Sequence, residues 1–151
     1  MTAQTVVRLS RVRRTARRLV VEVTVVGLLA LTAMTTVPKG QHSVAGWDFL
    51  APGLLLIGHA LAGAVVVVDG LGFVLSAAWT ASRRAVYVPA VGLAGAVVSL
   101  VAGAAVLWGA SSTVVWFPML VGWTTAVSAY VAEWGAAART LRLLRPVVEA
   151  P

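Results

Sequence analysis

The sequence predicts an all-α integral membrane protein, a four-transmembrane-helix bundle with both termini on the cytoplasmic side. Three observations point there. Hydrophobic residues make up 60% of the 151 and charged ones only 11%, against roughly 45–50% and 25% in a soluble domain. Four apolar segments approach or exceed the roughly 20 residues that a spanning helix needs. Of the 12 lysines and arginines, all but Lys39 fall on one side of a four-span topology, which the positive-inside rule makes cytoplasmic.

A basic segment, 1–18, comes first, with Arg8, Arg11, Arg13, Arg14, Arg17 and Arg18. Val6, Val7, Leu9 and Val12 alternate with these arginines, a pattern suited to an amphipathic stretch on anionic headgroups. A transmembrane domain, 19–138, follows, with spans at about 19–37, 54–80, 86–109 and 114–138. Unpaired backbone groups are intolerable in lipid and the segments lack the alternation of barrel strands, so all four are expected as helices. The first resembles a signal peptide in its basic start, but its apolar run exceeds the usual 7–15 residues, so an uncleaved helix is expected. The basic segment 139–151, with Arg139, Arg142 and Arg145, reads as a stop signal followed by a disordered end.

Tryptophans provide a second topology signal, because indole rings favour the headgroup level. Trp47, Trp108 and Trp116 fall at the outer boundary, and Trp79, Trp134 and Tyr87 at the inner one; only Trp123 is mid-span. Pro52 and Pro89 mark the starts of the second and third spans, where a missing N–H costs little. Pro118 lies about a turn inside the fourth, a position from which it could kink the helix.

Helices in lipid associate through small residues that let backbones approach. The third span supplies Gly95, Ser99 and Gly103 at intervals of four, with Gly92 and Ala96 alongside, and the fourth supplies Gly122 and Ala126. The simplest reading is packing within the bundle; a homodimer seam through the third span is the alternative.

Ionisable residues inside a membrane default to functional candidates. Glu22 and Glu133 lie near the cytoplasmic boundary, where pairing with Arg17, Arg18, Arg139 or Arg142 explains them as interfacial acids. Asp69 lies near the middle of the second span, with no arginine expected at its depth and Thr24, Thr32, Ser99, Thr124 and Ser128 as candidate partners. His59 precedes it by ten residues, about 15 Å of rise and about 80° of rotation, so the two share an interior without touching.

Cofactors and metals are not expected. With no cysteine, thiolate ligation is excluded. Haem b ligated by two histidines, as in membrane cytochromes, would need His42 to fold back toward His59. Four short helices with a glutamate in the first also describe the small multidrug resistance transporters, where Glu22 in LVVEVTVV would be the match. Its boundary position, the arginine-rich start and the acid in span two depart from that pattern. There is no phosphate loop, dinucleotide fingerprint or nucleophile elbow, so no enzyme is expected. The charge lacks a nucleic-acid-binding module.

The expectation is a non-enzymatic accessory protein of the bacterial inner membrane, multi-pass, packing with itself or a larger membrane complex and touching anionic lipid through its arginines. The alternative is a proton- or cation-coupled small transporter or pore using Asp69 with His59.

Overall fold

The computed structural model describes residues 3–36, 47–79, 83–107 and 112–149. They form four helices, α1 (Ala3–Thr36), α2 (Trp47–Ala78), α3 (Arg83–Leu107) and α4 (Ser112–Glu149). Each packs on its two neighbours in the ring order α1, α2, α3, α4, with α4 closing back on α1. Among the described residues three helices are long and apolar enough to cross a membrane, at Ile57–Ala78, Ala85–Ala105 and Val114–Leu144. α1 joins an apolar run that starts at Leu19 to the basic stretch that ends in Arg17 and Arg18.

The helices outrun the apolar segments. α1 continues through the whole basic stretch without a break, and α4 runs on to Glu149 where a disordered end was expected. The reason is tertiary. Ala16 and Ala137 are buried and Val12 packs against the core, so the basic part of α1 and the end of α4 retain an apolar stripe. Pro89 is corrected too. With α3 starting at Arg83, this proline is inside the helix and fully buried, and its missing N–H leaves the Ala85 carbonyl without its usual donor. Pro52 likewise falls in the second turn of α2, because that helix begins at Trp47.

The main core joins Ala16, Leu19, Val23, Val66, Phe73, Ala96, Ala126 and Tyr130, contributed by all four helices. A smaller cluster of Ala102, Val115 and Met119 lies beyond it. The outside is apolar, with Leu54, Ile57, Leu61 and Val68 each more than half exposed on α2. That arrangement suits a hydrocarbon surrounding and would be anomalous in water.

Two glycines set the closest approach. A Cβ added to Gly95 would lie 2.6 Å from the Gly122 carbonyl oxygen and 2.9 Å from the Ala126 nitrogen. One added to Gly122 would lie 2.6 Å from the Gly95 oxygen. The backbones of α3 and α4 therefore touch where side chains would otherwise hold them apart, the contact that small residues permit in lipid. The same ridge does not serve a single neighbour. Gly95 and Ser99 meet α4, whereas a Cβ on Gly103 would lie 3.5 Å from His59 Nε2 on α2.

Gly122→Leu should separate α3 from α4 and cost at least the roughly 1–3 kcal/mol of an overpacked core. Gly72→Ala is the control, since its added Cβ meets nothing within 4 Å and should stabilise the helix by about 0.5–1 kcal/mol. Melting temperatures in detergent check both; equal effects would contradict the backbone contact.

Candidate functional site

The polar side chains inside the bundle converge on α1. Arg18 presents Nε to Glu22 Oε1 at 2.6 Å, one helical turn away on the same helix. Its Nη2 lies 2.6 Å from Asp69 Oδ2 on α2. This second contact is a close charge pair whose angles fall short of a hydrogen bond. One guanidinium thus serves two carboxylates, using the fork that makes arginine suited to such sites.

The expectation that Asp69 has no cation at its depth is therefore corrected. Sequence order put Arg18 in a segment outside the span, but antiparallel packing of α1 and α2 brings it to the level of Asp69. Three of the five hydroxyls proposed as partners point elsewhere. Thr24, Thr32 and Thr124 donate to carbonyls three or four residues back on their own helices, a habit of helical threonines.

His59 is buried, and its Nδ1 lies 3.0 Å from the Val26 carbonyl oxygen of α1. A carbonyl only accepts, so Nδ1 carries the proton and Nε2 of the neutral ring is the open acceptor. Beside it, His59, Ser99, Trp123 and their neighbours line a cavity of about 20 Å³, room for one water and far too small for a porphyrin. His42, the other proposed haem ligand, lies outside the described residues. His59 and Asp69 both face α1, gripping it at Val26 and Arg18.

Trp123, the mid-span tryptophan, grips α1 from the other flank by donating Nε1–H to the Val23 carbonyl at 2.9 Å. Gly27 makes room for it, since a Cβ there would collide with Trp123 Nε1. The sequence signal was present, an indole where the headgroup rule could not explain it.

Glu133 behaves differently from Glu22. It is half-buried on the same face of α4 as Ala126, Tyr130 and Ala137 and makes no ion pair among the described residues. Arg139 and Arg142 are six and nine residues on, about 120° and 180° around the helix, so the expected pairing on one helix fails on geometry. Trp134 packs against the core, and among the described residues its buried Nε1 has no partner. Tyr130, which sequence reasoning passed over, is fully buried against Gly70 and Gly92, with its ring 6.5 Å from that of Phe73 and its hydroxyl unpartnered.

Metal ligation finds no support in this arrangement. Among the described residues no three His, Asp or Glu side chains gather at one point.

No family model, curated protein or solved structure matches the chain. The residues themselves must carry the functional reading.

Trp123→Phe deletes the donor and part of the indole's bulk while keeping an aromatic ring against the core. It should cost about 0.5–1.5 kcal/mol. Arg18→Met should lower the melting temperature more than Asp69→Asn does, because it leaves two carboxylates facing each other without a cation. The double variant R18M/D69N should recover part of the loss, measured as a double-mutant cycle; strict additivity would show that the pair does not couple.

Proposed function

We propose that the chain is a multi-pass protein of the bacterial inner membrane, with four spans and both termini cytoplasmic, that acts non-enzymatically as an accessory component. It packs with itself or with a larger membrane complex. One observation supports this above the others: the three interior polar side chains most suggestive of chemistry, Asp69, His59 and Trp123, are each engaged with α1. Groups committed to holding helices together are poorly placed to bind and release a substrate. The surface is then what remains for function, and it is apolar around the bundle and arginine-rich where α1 and α4 extend beyond it.

A second reading is kept alive by a single feature. Glu22 and Asp69 share one arginine, leaving one carboxylate charge in excess, and Glu22 Oε2 is buried without a donor. A proton or small cation taken up there would make the protein a coupled transporter or pore, with Asp69 as the carrier and His59 as a possible accessory on the same helix face.

Reconstituted wild-type protein should give no pH-driven flux above empty liposomes, and crosslinking in native membranes should give a discrete adduct larger than the monomer. Flux that disappears in Asp69→Asn would transfer the function to the transporter reading. The absence of cysteine makes topology equally testable. Ser10→Cys and Ser82→Cys should react with an impermeant maleimide only after permeabilisation, and Ser43→Cys and Ser111→Cys in intact cells; the reverse pattern would invert the bundle.

A further inference from the structure

The outer flank of the α3–α4 seam is not filled. A trough of about 460 Å³ opens there between Tyr87, Val88 and Val91 on α3 and Thr125, Ser128 and Ala129 on α4, within the size range of small-ligand sites. Ser128 and Ala129 keep its α4 wall low, and beyond it Ala132 and Gly135 continue the Ser128 face of the helix at intervals of four and three without adding bulk. A Cβ on Gly135 would meet nothing within 4 Å.

The trough leads to positive charge. Four residues past Gly135 the same face of α4 reaches Arg139, which is exposed. On the other wall, Arg83 and Arg84 open α3, one turn before Tyr87. The register of the two antiparallel helices, with Gly92 against Ala129 and Gly95 against Gly122 and Ala126, continues to bring the first residues of α3 beside α4 near Arg139. Acids do not offset this end. Of the five in the chain, Glu22 and Asp69 sit on the α1–α2 seam, Asp48 is at the far end of α2, Glu133 faces inward, and Glu149 is ten residues beyond Arg139.

A trough on the outer flank of the bundle, lying one turn from the α3 positions Arg83 and Arg84 and followed along α4 by a face without bulk that leads to the exposed Arg139, matches a molecule with a hydrocarbon chain and an anionic head. We propose that the α3–α4 trough is a binding site for one anionic phospholipid, its acyl chain along Val91, Ser128 and Ala132 and its phosphate at the Arg84 and Arg139 end. Basic pockets between helices on the cytoplasmic side bind such headgroups. The basic stretch of α1 attracts the membrane surface in general, whereas this site selects one lipid by combining charge with a shaped apolar wall. The proposal rests on the membrane reading above, with the start of α3 at the cytoplasmic headgroup level.

Full-length protein purified in detergent, mixed with phosphatidylglycerol and phosphatidylcholine of identical chains, tests it by native mass spectrometry. One phosphatidylglycerol per chain should be retained, at least about tenfold in preference to phosphatidylcholine. Arg84→Ala and Arg139→Ala should each reduce that preference about fivefold. Ala132→Phe should abolish retention with every arginine in place, because its ring stands from an exposed position on the face that carries the acyl chain between the trough and Arg139 and spares the core; an unchanged melting temperature verifies that it folds. A variant with Arg8, Arg11, Arg13 and Arg14 changed to Gln should keep the preference. Equal retention of the two lipids, retention that survives Ala132→Phe, or loss in the Arg8–Arg14 variant would each overturn the site. Carbonate extraction of the wild type from membranes separates the two levels: release into the soluble fraction would overturn the membrane reading and the site together, while a membrane-retained protein without lipid preference would overturn the site alone.

Discussion

The bundle depends on how α1 is held. In lipid, apolar side chains gain nothing by leaving the solvent, so the hydrophobic effect does not draw a helix into a bundle. α1 has the most charge and the shortest apolar run of the four, and polar contacts secure it from two sides. Asp69 meets Arg18 and His59 meets the Val26 carbonyl from α2, while Trp123 donates to the Val23 carbonyl from α4. Two of these contacts end on backbone oxygens already serving the helix, which have a second lone pair to offer. Their strength therefore depends little on which side chains α1 carries, apart from Arg18 and the absence of one at Gly27.

The α3–α4 pair is built on the opposite principle. No polar side chain links them at Gly95 and Gly122; the backbones meet directly because nothing stands between them. Dispersion across many atom pairs replaces a few directional bonds. A second face of α4, well round the helix from Gly122 and Ala126, is also free of bulk at Ser128, Ala132 and Gly135. The close seam and the open trough thus arise from small residues on two faces of one helix, one covered by α3 and one turned outward.

Much of the architecture was legible before any coordinates. Composition identified the helices, and periodic small residues identified the faces of α3 and α4 that pack. The candidate site was legible only in part. Asp69 and His59 stood out as polar groups in apolar surroundings, but their partners did not, since Arg18 is 51 residues from Asp69 in the chain and was assigned to a different environment. Trp123 stood out by failing the headgroup rule, yet its acceptor is a backbone carbonyl, which every residue possesses and no sequence pattern singles out. The inward turn of Glu133 could have been read from its helical phase with Ala126, Tyr130 and Ala137. Its proximity to arginines in number suggested a pairing that its angle forbids.

What the sequence alone determined is the material of the structure: helices, because its long apolar segments lack the alternation of strands, and a charge asymmetry, because basic residues cluster at the two ends and between α2 and α3. What only the tertiary structure decided is which polar groups meet. Antiparallel packing sets residues of opposite ends of the chain at one level, so a segment that reads as a basic tail becomes the cation of an interior acid. Depth along a single helix follows from residue number, whereas depth shared between helices depends on their mutual register, and that register is fixed by glycine contacts and side-chain reach that no one segment contains.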